Sequence, residues 1–358
     1  MSDELARCDR EMAECAAYDG PDLTGAAMGW ADNAIEKELI LSELKAPFPW
    51  FGGKSRVASM VWDRFGDVPN YVEPFAGSLA VLLGRPHAPK TETVNDLDCY
   101  LANFWRAIKL NPSTTAAWAD WPVNEADLLA RHRWLDAQSD FRERIKADPN
   151  YFDCRIAGWW VWGLCQWIGS GWCRQCRDGD QPEQLPHLGD AGMGINRKLP
   201  HLGDAGRGIN RKLPHLGDAG RGELILEYFQ ALSARLRDVR VACGDWTRVL
   251  GDSVTVKHGV TGVFLDPPYS ADEHAVTYSA DSDVAAQVRE WALANGNNSL
   301  MRIALCGYSG EHEMPGWTQI AWKARGGYGS QSDGRGRENA KRERIWFSPH
   351  CLKMGLFE

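Results

Sequence analysis

The chain has 358 residues, of which 44% are hydrophobic and 25% are charged, a balance typical of a folded globular protein. No apolar run reaches the length of about 18 residues that a membrane-spanning helix needs, and the acidic, polar start MSDELARCDREMAEC does not resemble a secretory signal. Ten cysteines without regular spacing suit a reducing compartment, so a cytoplasmic protein is expected.

The net charge of −8 is unevenly distributed along the chain. Residues 1–45 hold 11 Asp and Glu against 4 Lys and Arg, which predicts an acidic, flexible extension over residues 1–44. Two later segments, residues 185–222 and residues 323–344, are basic. The overall acidity therefore does not exclude a nucleic-acid partner, because the local charge decides where phosphates bind.

Residues 45–111 contain two strand–turn–helix units. NYVEPFAGSLAVLLG (70–84) predicts a strand, a glycine turn and a buried helix, and TETVNDLDCYLANFWRAIK (91–109) repeats this scheme. Such units in series indicate a parallel sheet.

The pattern changes between residues 112 and 222. Residues 112–172 are mainly helical in pattern and rich in Trp, and the 14-residue unit LPHLGDAGMGINRK begins at residue 185 and recurs at 199 and, in part, at 213. The repeat has too little hydrophobic mass for a core of its own, which predicts exposed turns. Phosphate contacts by its basic residues and a merely solvated loop are equally good interpretations. For the Trp cluster, core packing is favoured over stacking on bases.

An α/β pattern returns over residues 223–358. VRVACGDW (239–246), TGVFLDPPY (261–269), MRIALCGYS (301–309) and RERIWFSP (342–349) predict strands, and helices are expected at 223–237 and 283–295. The sequence thus predicts one α/β domain, formed by residues 45–111 and 223–358, which is interrupted by an inserted, mainly helical and loop-rich region.

Four acids lie at or near the carboxyl ends of these strands, where ligands bind in open α/β sheets: Glu73, Asp96, Asp245 and Asp266. Asp96 follows Gly77 by 19 residues, close to the spacing at which an acid holds a ribose hydroxyl in dinucleotide-binding folds. Such acids also serve as helix caps, but four of them favour a shared ligand site.

A rigid corner, Asp266-Pro267-Pro268-Tyr269, follows the apolar run Val263–Leu265. Two successive prolines end the hydrogen-bond ladder and stiffen the backbone. The corner offers one carboxylate, backbone carbonyl acceptors of fixed direction and one aromatic ring.

Five motifs come in an order that resembles the Dam-like, D12 class DNA adenine-N6 methyltransferases. They are PFPWFGGK (47–54), YVEPFAGS (71–78), ND (95–96), GDW (244–246) and DPPY (266–269). The resemblance covers residues 45–111 and 223–350. It implies a Rossmann-like sheet that binds S-adenosyl-L-methionine, an inserted target-recognition domain at 112–222, and site-specific methylation of adenine in double-stranded DNA by a restriction–modification or orphan phage enzyme.

The resemblance also implies roles for individual residues. The cofactor site is expected to include Trp50, Gly53, Lys54, Glu73, Phe75, Gly77, Asp96, Asp245, Trp246 and Asp266. Asp96 would accept the ribose hydroxyls, and Asp245 with Trp246 would hold the cofactor adenine. The chain departs from the family at Ser78 and Leu79, where many members have further glycines, and it lacks the usual recognition pattern in the middle region.

The corner suits the chemistry of an exocyclic adenine amine, which is a poor nucleophile because its lone pair is delocalised into the ring. Asp266 and the carbonyl of Pro267 would accept its two N–H groups, and Pro268 would keep that carbonyl rigid. Tyr269 would offer a face on which a base flipped out of the duplex stacks. No metal is expected, because a sulfonium is itself a strong methyl donor.

Three alternatives stay open. The chain could methylate cytosine N4 or a protein amide, although Asp at position 266 in place of Ser or Asn argues against both. It could also be a DNA-binding relative without activity.

Cys173 and Cys176 have the spacing of half a zinc site, but no second such pair follows, so free cysteines are favoured.

Overall fold

The computed structural model describes residues 44–48, 50, 53–168, 172–173, 194–195, 222–269, 281–322 and 342–353. All of them lie in one compact unit, Ile40–Glu358. The predicted acidic extension, apart from Leu44, and nearly all of the 14-residue repeats lie outside the described residues. Within the described part of the chain, none of the helices combines the length and the apolar character that crossing a membrane requires.

The centre of the described structure is a seven-stranded sheet. Its strands are β1 (Asn70–Glu73), β2 (Thr91–Asp96), β5 (Arg240–Cys243), β6 (Thr261–Leu265), β7 (Met301–Tyr308), β8 (Thr318–Ala321) and β9 (Glu343–Phe347). They lie in the order β5-β2-β1-β6-β7-β9-β8. Two short strands outside this sheet, β3 (Trp167–Ile168) and β4 (Gly194–Ile195), pair antiparallel with each other.

The strand directions confirm the predicted parallel sheet. Strands β5, β2, β1, β6 and β7 run parallel, whereas β9 runs antiparallel to both of its neighbours, β7 and β8. From β1 the chain moves outward through β2 to β5 and then crosses to β6, on the other side of β1. The strand order therefore reverses between β1 and β6, and ligands of open α/β sheets bind at such a point. This is the Rossmann-like class that the sequence predicts.

Each face of the sheet is covered by its own core cluster, because successive side chains of a strand point to opposite faces. On β6, Phe264 belongs to one cluster, while Val263 and Leu265 belong to the other. All five residues of β6 and all four of β1 are buried. Strand β8 differs, since three of its four residues are exposed. It has no apolar run, which explains why the sequence pattern does not predict it.

The described helices are α1 (Ala58–Phe65), α2 (Ala80–Leu83), α3 (Cys99–Leu110), α4 (Pro112–Ala119), α5 (Glu125–Asp136), α6 (Phe141–Ala147), α7 (Cys154–Gln166), α8 (Gly222–Leu236) and α9 (Asp281–Asn295). Polar residues cap several of them. Asp98, for example, accepts the backbone N–H groups of Tyr100 and Leu101 at the start of α3.

Helices α4 to α7 confirm the mainly helical pattern predicted for residues 112–172 as far as Gln166, whereas Trp167–Ile168 form β3. They share one core cluster with α3 and α8. Phe104 of α3 lies between them, with ring centroids 5.8 Å from Trp160 of α7 and 5.8 Å from Phe229 of α8. Trp160, Trp162, Trp167 and Trp172 are buried, which confirms the core-packing interpretation for these four. The division into domains at residues 112 and 222 stays a prediction.

Candidate active site

Three of the four predicted acids lie at one edge of the sheet. Glu73 is the last residue of β1, Asp96 is the last residue of β2, and Asp266 directly follows β6. Because these strands run parallel and adjacent, their carboxyl ends share an edge. Asp245 stands two residues beyond the end of β5, at the outer side of the same edge.

Lys54 forms an ion pair with the acid of the proline corner. Its Nζ lies 2.9 Å from Asp266 Oδ2, and the residue is 5% exposed. Burial is the largest single effect and lowers the pKa of this amine, but the charges of Asp266, Cys306 and Glu343 together with the hydrogen bond to Asp266 outweigh it, so the pKa of Lys54 is raised above its ordinary value. Lys54 is therefore charged at neutral pH and holds one oxygen of Asp266. Contact between Lys54 and a cofactor stays a prediction.

Tyr269 contacts the other oxygen of the same carboxylate. Its hydroxyl lies 3.2 Å from Asp266 Oδ1 and 3.0 Å from Glu343 Oε2. Burial, followed by the charge of Asp266, raises the pKa of Tyr269 well above its usual range, so the hydroxyl keeps its proton and donates it. The ring packs edge to face on Tyr308, at a centroid distance of 4.6 Å, and Lys54 Nζ lies 5.3 Å from the ring centroid. These contacts fix the direction of the Asp266 carboxylate.

The turn after β1 brings Gly77 against Trp50 and Asp96. The backbone N–H of Gly77 donates to Asp96 Oδ2 at 2.9 Å, and its carbonyl accepts from Trp105 Nε1 at 3.1 Å. Gly77 has a φ of 47°, and a Cβ at this position would lie 2.6 Å from Trp50 Nε1. Two independent constraints thus require glycine here.

Replacing Gly77 by alanine is expected to lower the free energy of unfolding by about 1–3 kcal/mol, through the left-handed backbone and the contact with Trp50. Denaturant unfolding measures this loss. Gly251→Ala is the matched control, because Gly251 is exposed and a Cβ there would have no neighbour within 4 Å. Equal stability of the two variants would contradict this account of the turn.

Asn95 connects three strand ends. Its side-chain amide donates to the carbonyl of Pro74 at 3.0 Å and to that of Gly244 at 2.9 Å. The N–H of Gly244 in turn donates to the carbonyl of Asp96 at 3.0 Å. Asn95 is 1% exposed, so these bonds are formed away from water. The turns after β1 and β5 are therefore held against the end of β2 by one buried amide.

The carboxylate of Asp96 accepts two backbone N–H groups, from Gly77 and from Asp98. Burial, and secondarily the charge of Asp98, raises the pKa of Asp96 to about 6. Burial also raises the pKa of Glu73 well above its usual range, and Glu73 Oε2 accepts a hydrogen bond from Tyr71 at 2.9 Å. A hydrogen-bond donor or a positive charge placed beside either acid would stabilise its ionised form.

The GDW motif forms the outer part of the edge. Asp245 is exposed and caps a short 3-10 helix, Trp246–Val249, because its Oδ1 accepts from the backbone N–H and the hydroxyl of Thr247. Trp246 is 7% exposed and stacks on Phe75, with a centroid distance of 6.1 Å and an angle of 27° between the rings. The structure thus brings Phe75 and Trp246 together. Asp245, by contrast, uses at least one carboxylate oxygen to cap the 3-10 helix.

Residues 50–150 match the family of D12 class N6 adenine-specific DNA methyltransferases. This match covers 101 of the 358 residues of the chain. No match is found among curated proteins. The matched range includes Trp50, Lys54, Glu73 and Asp96 and ends before the GDW and DPPY motifs. Members of this family methylate adenine in DNA at N6. The match to residues 50–150 supports a DNA adenine methyltransferase as the enzyme class of this chain.

At Leu79, where the resemblance implies a departure from the family's glycine pattern, the backbone is unusual. Leu79 has a φ of 55° and is fully buried, at the start of α2. This left-handed conformation costs a non-glycine residue about 1–2 kcal/mol. The turn thus adopts at Leu79 the left-handed backbone conformation that glycine would favour, although the residue is leucine. Burial of the leucine side chain offsets this cost.

Of the remaining predicted site residues, Gly53 is exposed, Pro267 is buried and Pro268 is exposed. Two neighbours of the corner were missed by the sequence analysis, Tyr308 and Glu343. They face each other as the last residue of β7 and the first residue of β9. Because β9 is antiparallel, its first residue lies at the edge where the parallel strands end. The acid at the start of the last predicted strand is visible in the sequence, but the antiparallel direction that brings Glu343 to this edge is not.

Proposed function

We propose that the chain transfers a methyl group from S-adenosylmethionine to the N6 amine of an adenine flipped out of double-stranded DNA. The observation that carries this proposal is the Asp266 carboxylate, which Lys54 and Tyr269 hold beside the point where the strand order reverses. The rigid Pro267-Pro268 corner and the family match to residues 50–150 support it.

Asp266 has the capacity to accept the amine of a base. Oδ2 accepts from Lys54 and Oδ1 from Tyr269, and each carboxylate oxygen can accept a second hydrogen bond. The carbonyl of Pro267 would accept the second N–H of the amine. Two fixed acceptors favour a tetrahedral nitrogen, whose lone pair is available for attack. Since Lys54 and Tyr269 hold the carboxylate in advance, little reorganisation accompanies the reaction.

The residues at the edge fit S-adenosylmethionine. When bound, this cofactor supplies a methyl group on a positively charged sulfur. Glu73 and Asp96 are acids whose raised pKa values mark sites that favour a neighbouring cation or donor. Asp96 would accept the ribose hydroxyls, and Trp246 with Phe75 would provide the apolar surface for the adenine ring. The positive φ of Gly77 lets the backbone of this turn come close to a ligand.

The affinity for S-adenosylmethionine is expected to fall as the pH drops through about 6, the pKa of Asp96. The ionised carboxylate accepts hydroxyl groups and the protonated one accepts fewer, so binding is strongest above this pKa. Below it, the affinity should fall by up to about tenfold per pH unit. Calorimetric titrations from about pH 5 to about pH 8 measure the slope. Asp96→Asn, which cannot titrate, should flatten it; an unchanged slope would contradict the assignment.

Mass spectrometry of nucleosides tests the reaction itself. The purified chain is incubated with DNA and S-adenosylmethionine that carries an isotopically labelled methyl group, and the DNA is then digested. Labelled N6-methyladenine is the expected product. Labelled N4-methylcytosine, or label in protein, would overturn the proposed substrate. Cofactor binding without any labelled product would indicate a DNA-binding relative that has lost activity.

A further inference from the structure

Three metal-ligating side chains form a cluster that the proposed methyl transfer does not use. They belong to His132 and Asp136 of α5 and to Cys173. A ring nitrogen of His132, a carboxylate oxygen of Asp136 and the sulfur of Cys173 all lie within 4.8 Å of one another. The CxxC spacing points to Cys173 as a ligand, but no sequence pattern marks the other two residues, because they lie some forty residues earlier in the chain.

Helix α5 places two of the three ligands on one face. His132 and Asp136 are four residues apart, which is about one helical turn. Leu128 and Leu135 of the same helix are fully buried, and the carbonyl of Leu135 accepts a hydrogen bond from the hydroxyl of Tyr100 at 2.7 Å. The helix is thus fixed against α3, and the spacing of its two ligands is set by the fold.

The turn at Trp172 and Cys173 brings the third ligand. The Trp172 ring stacks on His132 with a centroid distance of 5.3 Å, and Trp172 Nε1 donates to the carbonyl of Trp160 at 3.1 Å. Cys173 is 6% exposed, and its backbone nitrogen lies 3.5 Å from His132 Nδ1, at the outer limit of a hydrogen bond, so the ring proton can move to Nδ1 when Nε2 binds a metal. Its φ of 50° is one that a residue with a side chain rarely adopts. The fold therefore holds this cysteine beside His132 in an unfavourable conformation.

The distance between His132 and Asp136 is that of two ligands of one ion. His132 Nε2 lies 3.6 Å from Asp136 Oδ2, which is too long for a hydrogen bond. Two atoms that each lie about 2.1 Å from a tetrahedral ion are about 3.4 Å apart. The other oxygen, Asp136 Oδ1, is buried and has no hydrogen-bond partner among the residues that the structure describes. A buried carboxylate oxygen without a partner is unfavourable, and a bound cation would compensate it.

We propose that His132, Asp136 and Cys173 bind one Zn²⁺ ion, which holds the turn at 172–173 against α5. Imidazole nitrogen, thiolate sulfur and carboxylate oxygen together suit zinc, whereas Mg²⁺ and Ca²⁺ prefer sites made of oxygen alone. On binding, the thiol of Cys173 releases its proton to solvent and a zinc–sulfur bond forms. Water or a further side chain completes the tetrahedron. Cys176, at CxxC spacing from Cys173, lies outside the described residues.

The test measures the zinc content of the full-length chain after dialysis, by plasma mass spectrometry. The expected result is one zinc ion per chain in the parent, almost none in Cys173→Ser, and the parental content in Cys154→Ser. Cys154 is the matched control, because it is also a free cysteine and is partly buried, but it lies outside the cluster. Equal zinc in the parent and in Cys173→Ser would show adventitious binding and overturn the proposal.

A second measurement does not depend on the folding of the cysteine variant. The metal-depleted parent is titrated with Co²⁺, which should produce a thiolate-to-cobalt charge-transfer band. Asp136→Asn preserves the shape of the side chain and should weaken cobalt binding by at least about tenfold. A parent that contains no zinc after purification and gives no thiolate band with Co²⁺ would refute the site.

Discussion

Replacing Asp266 by asparagine is expected to lower the rate of methyl transfer to DNA by at least about a hundredfold, with little change in the dissociation constant of S-adenosylmethionine. The amide keeps the size of the side chain but loses its charge, and it offers one acceptor oxygen where the carboxylate offers two. In the parent, Lys54 contacts Oδ2 and Tyr269 contacts Oδ1, and the single amide oxygen cannot accept from both of these donors and from the base as well. Single-turnover transfer of a labelled methyl group measures the rate.

The control for this experiment is Asp252→Asn, at an exposed acid in the loop before β6. It should keep the parental rate. Thermal melts of both variants are also needed, because the Asp266 variant leaves the buried Lys54 ammonium beside a neutral amide. If Asp266→Asn is folded, binds the cofactor and retains a rate within a few-fold of the parent, the proposed role of this carboxylate is wrong.

The largest loss of stability is expected for Glu92→Gln, at about 3–5 kcal/mol. Glu92 is 2% exposed on β2, and it accepts from Arg85 Nη1 at 3.1 Å and from both terminal nitrogens of Arg235 at 2.7 and 3.0 Å. Arg85 is 9% exposed, and its guanidinium lies 4.9 Å from the ring centroid of Trp62. A neutral amide would remove the buried negative charge that faces both guanidinium groups. Chemical denaturation measures the difference.

Asp67→Asn provides a control on the same guanidinium group. Asp67 lies 3.5 Å from Arg85 Nη2 and 2.6 Å from Lys90 Nζ, but half of its side chain is exposed. Water screens such pairs, so the unfolding midpoint of this variant should match that of the parent. If both variants lost the same stability, burial would not be the reason for the importance of Glu92.

The sequence predicts the parts of the site that follow buried parallel strands. Glu73, Asp96 and Asp266 each stand where an apolar run ends, and the parallel sheet brings such ends to one edge. The direction of the chain in each strand follows from the helices that alternate with the strands. Local pattern therefore determines both the elements and the place where these three acids meet.

The remaining features depend on contacts that no local pattern reveals. Glu343 reaches Tyr269 only because β9 runs antiparallel, and an alternating apolar pattern is the same for both strand directions. Asn95 looks like an ordinary strand residue until its two carbonyl partners are known. His132 and Cys173 meet through the packing of a tryptophan-rich turn on α5, which is a matter of tertiary structure.

The position of β1 between β2 and β6 also affects how the chain folds while it is being synthesised. Strand β2 leaves the ribosome soon after β1, but Thr261, the β6 partner of Asn70, comes much later. At about 5–20 residues per second, one edge of β1 lacks its neighbour for roughly 10–40 s. An unpaired strand edge can pair with other chains, so this interval favours aggregation and makes chaperones useful. The ion pair between Lys54 and Asp266 likewise cannot form until Asp266 has been synthesised.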